Sequence, residues 1–161
     1  MGERTVRFRR GEIYSQDGVL LAETEIDGDA RIRKYPKGRL YSHIIGYCSQ
    51  VYGKTQLEMS HDDDLIGKGT ISLTLNEIKH GNNLNLTIND ELQEYAYEQL
   101  DGRDGAIVAM EPTTGQILAM VSLPDFNPET IEKDWPSMME DENSPFFSKG
   151  NTGVISAGFD I

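Results

Sequence analysis

The chain has 161 residues, 37% of them apolar, and a formal net charge of −12. A chain of this length suits one domain, or one domain with a small appended lobe, and can bury roughly 70% of its unfolded surface. The acidity argues against nucleic acid or an anionic membrane as partner, since both need a basic face.

One cysteine, Cys48, excludes an internal disulfide and a multi-cysteine metal site, and its apolar setting suits a buried, inert thiol. No apolar run approaches the about 18 residues of a membrane span, and no signal-peptide core is visible. An exported parent would carry its targeting segment outside this chain. Sixteen glycines indicate many turns, so the expected fold is a loop-rich α+β protein of elongated shape.

The first ten residues set Arg4, Arg7, Arg9 and Arg10 against Glu3. Such a run is a solvated strand end or a juxtamembrane segment, and composition alone favours the former. Two β-prone runs then flank Ser15-Gln16-Asp17-Gly18, a strong hairpin signal. Residues 23–30 read as a polar loop or short connection, and Arg31–Pro36 as an extended edge segment stopped by proline. Residues 37–69 are the least regular, with a short strand or buried turn over Tyr41–Tyr47 and one helical turn over Gln56–Met59.

His61-Asp62-Asp63-Asp64 has ligand types for a cation but no EF-hand spacing, and is read as a solvated acidic loop. Gly67-Lys68-Gly69-Thr70 lacks the Walker spacing. Thr70–Leu75 and Leu84–Ile88 alternate with period two and are expected to form a second hairpin around a 77–83 loop.

The period then changes to that of a helix over about 90–100. Asp90 is expected to cap it, with Gln93 completing a capping box. Leu92, Tyr95, Ala96, Gln99 and Leu100 would form its inner stripe, and Asp101-Gly102 would end it.

Gly105–Ser122 follows, two apolar runs around Pro112-Thr113-Thr114-Gly115. The proline presets φ and the glycine tolerates a left-handed backbone, so this is a β-hairpin. Its near-continuous apolarity predicts that both faces are covered, one by the 90–100 helix. The core is thus a small, mostly antiparallel sheet and β-hairpins, with one main helix packed on the 105–122 hairpin. Beyond it, Pro124, Pro128 and Pro136 argue against long regular structure, while Trp135, Met138 and Met139 could anchor the segment. Residues 148–161 are linker-like, with Val154–Ile161 able to form a strand.

No nucleophile pairs with a base. Ser-x-x-Lys and Gly-x-Ser-x-Gly do not occur, His43, His61 and His80 have no zinc-type spacing, and Glu111 is a strand-end carboxylate. No catalytic, cofactor-binding or metal-ligating residue is assigned, and the residues read as a non-catalytic module.

The ordered motifs resemble the amino-terminal part of class B penicillin-binding proteins. Arg10-Gly11-Glu12-Ile13 with Asp17-Gly18-Val19-Leu20-Leu21-Ala22 resembles the family's first motif. Tyr35-Pro36-x-Gly38 with His43-Ile44-Ile45-Gly46-Tyr47 resembles the second, and Gly53-x-Thr55-x-Leu57-Glu58 the third. Leu86-Thr87-Ile88-Asn89 with Leu92-Gln93 resembles the linker into the transpeptidase domain. The hairpin, with Pro112 and Gly115 at its turn, and Ser122-x-Pro124-x-Phe126-Asn127-Pro128 resemble that domain's opening strands. Ser15-Gln16 stands where the family carries Asp-Arg, and the Ser-x-x-Lys, Ser-x-Asn and Lys-Thr-Gly elements are absent.

The resemblance, which covers roughly residues 8–147, implies a pedestal over residues 1–88, with a head or anchor subregion near 31–75. A linker helix and opening hairpin would occupy 89–147. Residues 148–161 would be a linker-like tail, its strand engineered to cover a hairpin edge where the catalytic core has been removed. It implies the extracytoplasmic face of the bacterial membrane, which favours the juxtamembrane reading of Arg4–Arg10. The implied partners are the chain's own transpeptidase domain, a cell-wall polymerase or other morphogenesis proteins, and a second copy, with no nucleic acid.

Arg10 and Glu58 are expected to form an ion pair joining the first and third motifs, so that Arg10→Ala lowers the melting temperature. Two other classes stay open. An extracellular ligand-binding or sensor domain would show a deep apolar pocket with converging polar groups. An active serine acyltransferase with an unrecognised site would be labelled by a fluorescent penicillin.

Overall fold

A computed structural model describes residues 8–68 and 79–140. The chain opens with β1 (Phe8–Arg9), β2 (Ile13–Tyr14), β3 (Leu20–Asp27) and β4 (Ala30–Lys34). A 3₁₀ turn (Gly38–Tyr41) leads into α1 (Ser42–Ile45), followed by β5 (Cys48–Ser49) and β6 (Gly53–Lys54). Next come α2 (Gln56–Ser60), α3 (Asp62–Leu65), β7 (Lys79–His80) and β8 (Leu84–Asn85). The last elements are α4 (Asp90–Leu100), β9 (Gly105–Met110), β10 (Ile117–Leu123) and α5 (Ile131–Glu140). This is a mixed α+β fold of small sheets. The largest has the order β4-β3-β2-β8, antiparallel except for β2 with β8, and β1 pairs in parallel with β7.

β9 and β10 form the antiparallel hairpin read from the sequence, with Gly115 at φ 76 in its turn. α4 covers one face, where Ala96 packs with Ala119 and Val121, joined by Leu92, Tyr97, Leu100, Ile107 and Ala109. The other face is covered only in part: Met120 packs on the main core, whereas Val108 is 54% exposed and Met110 56%. The expectation that both faces are covered is therefore corrected. Tyr95 is also outside the helix stripe, being exposed, while Tyr97 takes an inner position.

The capping is corrected too. Asn89, not Asp90, is the cap, its side chain accepting from Leu92 N at 2.9 Å. Gln93 is fully buried and reaches across to another element rather than back to the cap. Asp101 adopts a left-handed conformation (φ 48) ahead of Gly102, which ends the helix.

Two further expectations fall, and a third lies largely outside the described residues. Residues 23–30 are not a loop: Glu23–Asp27 pairs residue for residue with Ala30–Lys34 across Gly28-Asp29. Leu84–Asn85 pairs in parallel with Ile13–Tyr14, while the Thr70–Leu75 half of the expected second hairpin and the Val154–Ile161 strand lie outside the described residues. Residues 131–140 form a helix despite Pro136, because Ile131, Trp135 and Met138 recur at helical spacing and pack on Tyr47 and Phe126. Burial of that stripe outweighs the backbone hydrogen bond the proline removes.

The main core gathers Ile13, Leu21, Tyr35, Tyr41, Ile45, Leu65 and Ile88, so it joins the four-stranded sheet to α1, α3 and the approach to α4. Ile117 and Met120 pack against it from the hairpin. The amino-terminal motifs and the hairpin therefore share one continuous interior.

Candidate functional site: a buried ion-pair hub and two polar joints

Glu58 lies on α2 with none of its surface exposed. A buried carboxylate needs several donors to offset the hydration it loses. It has three. Arg10 Nε donates to Oε2 at 2.6 Å, Arg33 Nε to Oε1 at 2.7 Å, and the Tyr35 hydroxyl to Oε1 at 3.2 Å. Arg10 also donates to the Glu58 carbonyl at 2.6 Å and to the Asp62 carboxylate. Lys54 Nζ closes on both Asp62 oxygens at 2.8 Å. Arg33 further donates to Gly11 O at 2.7 Å, which ties β4 to the strand opening.

Desolvation alone would lift the Asp62 carboxyl, but the hydrogen bonds from Lys54 and Arg10 outweigh it and hold the group below its ordinary range. Burial beside Glu58 drives the Tyr35 hydroxyl well above the usual tyrosine value. Asp62 belongs to the short helix α3 and to this hub, not to a solvated loop. No metal-competent cluster occurs among the described residues.

A second joint grips the start of α4. Asp90 accepts from the Tyr41 hydroxyl at 2.8 Å and from Lys37 at 2.7 Å, while its backbone N–H donates to Asp17 Oδ1 at 3.0 Å. Ser15 donates to the same Asp17 carboxylate at 2.7 Å, and these contacts hold Asp17 below the ordinary aspartate range. Gln93 Nε2 donates to Leu40 O at 3.0 Å and Met120 O at 2.8 Å, and its Oε1 accepts from Met120 N at 2.8 Å. One buried amide thus bolts α4 to the 3₁₀ turn and to β10.

The third joint lies toward α5. Glu129 accepts from Tyr35 N at 2.8 Å, Glu132 from Ser49 at 2.5 Å, and Asp125 from Arg39 at 2.8 Å and Tyr97 at 2.5 Å. Burial, then the Asp125 hydrogen bond, pushes the Tyr97 hydroxyl up to about 12. Tyr52 stacks on Trp135 with ring centroids 4.4 Å apart, and Tyr47 meets Phe126 and Trp135 edge-on.

Arg10, Gly11, Tyr35 and Glu58 are thus brought together at the hub, and Asp17 and Gln93 at the second joint. Gly46 (φ 76) packs on Thr55, where an added Cβ would meet Thr55 O at 2.5 Å. Gly18 (φ 81), in a turn, and Gly53 (φ 77), opening β6, have open space around them, and Pro36 is exposed at the start of the turn after β4. Pro112 and Gly115 lie at the hairpin tip, apart from all three joints. Sequence reasoning missed Arg33, Lys54, Asp62 and Asp90. Arg33 sits in an alternating strand identical in pattern to a solvated one, so no local signal marks it.

Both Asp17 and Asp62 are held below the ordinary aspartate value of 3.8. A depressed folded-state value contributes stability that is present above the unfolded value and lost as pH falls through the folded one. Thermal melts should therefore hold steady down to about pH 5 and fall below about pH 4. Asp62→Asn should flatten part of that acid slope; an unaltered slope would remove Asp62 from the account.

Residues 10–83 match the family described as the penicillin binding protein A dimerisation domain. The peptidoglycan D,D-transpeptidase MrdA of Acinetobacter baumannii is 32% identical over 80% of this chain and 25% of the relative. The peptidoglycan D,D-transpeptidase PbpA of Mycolicibacterium smegmatis is 29% identical over 93% of this chain and 35% of the relative. Residues 10–83 thus carry the penicillin binding protein A dimerisation domain, and the relatives that match most of the chain are class B penicillin-binding proteins. Among solved structures, penicillin-binding protein A from Mycobacterium tuberculosis, as an imipenem acyl-enzyme complex, superposes with a TM-score of 0.79 at 29% identity, covering 89% of this chain and 37% of that one. A D,D-transpeptidase domain of a peptidoglycan glycosyltransferase from Eggerthella lenta gives 0.75 at 36% identity, covering 88% and 32%. The chain thus spans a quarter to about a third of the length of these curated relatives. The whole hub lies inside the dimerisation domain, whereas Gln93 and the hairpin lie beyond it.

Proposed function

We propose that this chain is the non-catalytic pedestal of a membrane-anchored peptidoglycan D,D-transpeptidase, working at the extracytoplasmic face of the bacterial membrane. Residues 1–88 act as the pedestal and residues 89–147 as linker helix and opening hairpin of the catalytic domain. The pedestal positions that domain and offers surface to cell-wall synthesis partners, a polymerase or a second copy among them.

The observation that carries this reading is the state of β9: one face is clamped by α4, while Val108 and Met110 on the other stay exposed on a strand whose outer edge has no partner among the described residues. A long apolar edge strand is an aggregation liability unless another part of the protein covers it. The catalytic remainder of a longer protein is suited to do so, and the joints make the hairpin continuous with the pedestal. The basic run Arg4–Arg10 suits a juxtamembrane stretch. No helix among the described residues is long and apolar enough to cross a membrane. The apolar cavity between Ile44, Leu57, Leu84 and Ile88 holds about 100 Å³, less than the roughly 300 Å³ at which small-molecule pockets begin. The larger clefts beside Arg9, of about 400 and 450 Å³, are lined mostly by charged and polar residues and lack the apolar walls of a sensor pocket.

Gln93→Leu in the full-length protein tests the coupling. The leucine fills the space but leaves Leu40 O and both Met120 backbone groups without their side-chain partner. Acylation by a fluorescent penicillin should persist while cross-linking of nascent peptidoglycan drops several-fold. Unchanged cross-linking would refute a positioning role.

A further inference from the structure

β3 is covered unevenly. Leu20–Ala22 is flanked by β2, but among the described residues no strand pairs with Glu23–Asp27 on the side away from β4. The register decides which backbone groups this leaves open. Asp27 pairs with Ala30 around the two-residue Gly28-Asp29 turn, so Asp27, Glu25 and Glu23 direct their N–H and C=O toward β4. Thr24 and Ile26 direct theirs the other way, on the side where Ala22 meets Ile13 of β2. The open edge faces a cleft of about 450 Å³ lined by Arg9 and Glu23–Ile26. Arg9 Nε is buried there without a hydrogen-bond partner, and its NH2 reaches Glu12 only at 3.6 Å.

Charge narrows the choice of occupant. Glu23, Glu25 and Asp27 share one face of β3, and no ion pair among the described residues engages them. β4 sets only Lys34 opposite Glu23, and presents Ile32 to Glu25 and Ala30 to Asp27. A second copy adding by the same edge would bring like charges together, which is unfavourable for directly opposed pairs. The opposite face carries the half-exposed Ile26 and, deeper, the buried Thr24, whose hydroxyl donates to Arg10 O at 3.4 Å and accepts from Arg33 at 3.2 Å.

We propose that the Glu23–Asp27 edge of β3 receives an extended segment of a partner protein that alternates Lys or Arg with apolar residues. Its backbone pairs with Thr24 and Ile26. Its basic side chains lie beside Glu23, Glu25 and Asp27, and its apolar ones beside Thr24 and Ile26. Arg9 Nε donates to one of its carbonyls. This names the chemistry of a partner within the proposed pedestal role, but the two fail separately, since strand addition at β3 leaves the Gln93 joint untouched.

The probe is the synthetic peptide acetyl-Lys-Val-Arg-Val-Lys-Val-amide, titrated into the intact chain while backbone amide shifts are followed by NMR. Saturable shifts centred on Thr24 and Ile26 are expected, weakening as salt is raised. The same peptide N-methylated at alternate residues keeps its charge but cannot extend a ladder, and should bind at least about tenfold more weakly. Ile26→Pro removes a donor from the open edge alone and should cost as much, and Glu25→Lys should weaken binding with the fold intact. Equal binding of the N-methylated peptide, shifts elsewhere, or no saturable shift would overturn the proposal. So would binding that requires deletion of residues 1–7, which would assign the edge to this chain's own basic arm.

Discussion

Glu58→Ala should lower the melting temperature of the chain by about 10 °C. Removing one partner of a buried ionic group costs about 3–5 kcal/mol, because the remaining charge is left desolvated and uncompensated. A chain of this size shifts by about 2–4 °C per kcal/mol. Glu58 is entirely buried and its side chain accepts from Arg10, Arg33 and Tyr35. Its loss leaves two arginine side chains, each less than a tenth exposed, without their shared carboxylate. Arg10→Ala should do less damage, since Glu58 keeps Arg33 and Tyr35 and Asp62 keeps Lys54. Glu58→Gln retains the volume and one acceptor and should fall between them. A thermal or urea series in which Glu58→Ala costs under about 1 kcal/mol, the scale of an exposed pair, would show that the hub is not a buried coupled unit.

What was legible in the sequence follows the range of the interaction that causes it. The Pro112–Gly115 turn and the Asp101-Gly102 helix stop are local, since φ preferences of adjacent residues fix them, and both stand as read. The Arg10–Glu58 pair spans 48 positions and leaves no local trace; only the motif resemblance put the two together. Arg33 had neither a local signal nor a motif. Where tertiary packing overrides propensity, the sequence misleads. Glu23, Glu25 and Asp27 read as loop residues, yet the tight Gly28-Asp29 turn brings Ala30–Lys34 back beside them in a ladder. Pro136 reads as a breaker, yet the Ile131–Trp135–Met138 stripe finds an aromatic seat. Gln93 is the clearest case. Its spacing from Asp90 fits a capping box, but β10 and the 3₁₀ turn lie within reach of its side chain, and the two Met120 backbone groups and Leu40 O take the amide instead.

The second large effect is expected at Gly81, which the sequence places only within the 77–83 loop. Three backbone segments interleave around it. Gly11 N donates to Leu65 O at 2.8 Å, Gly81 N to Arg9 O at 2.8 Å, and Asn82 N to Asp64 O at 2.9 Å. A Cβ on Gly81 would lie 1.7 Å from Leu65 O and 2.8 Å from Gly11 N; one on Gly11 would lie 1.8 Å from Asn82 O. These obstacles are backbone, so no rotamer change relieves them, and the crossing must open by more than an ångström with loss of the hydrogen bonds that define it. Gly81→Ala and Gly11→Ala should each cost several kcal/mol, on the order of 4, the range of overpacking joined to broken buried hydrogen bonds. Gly53→Ala is the control. Gly53 has φ 77 but nothing within 4 Å of its added Cβ, so only the left-handed penalty of about 1–2 kcal/mol applies. Urea unfolding of the three variants separates close approach from backbone conformation. Equal losses at Gly81 and Gly53 would mean that the crossing has slack, and that β1 and β7 are not the clasp that holds the strand opening to α3.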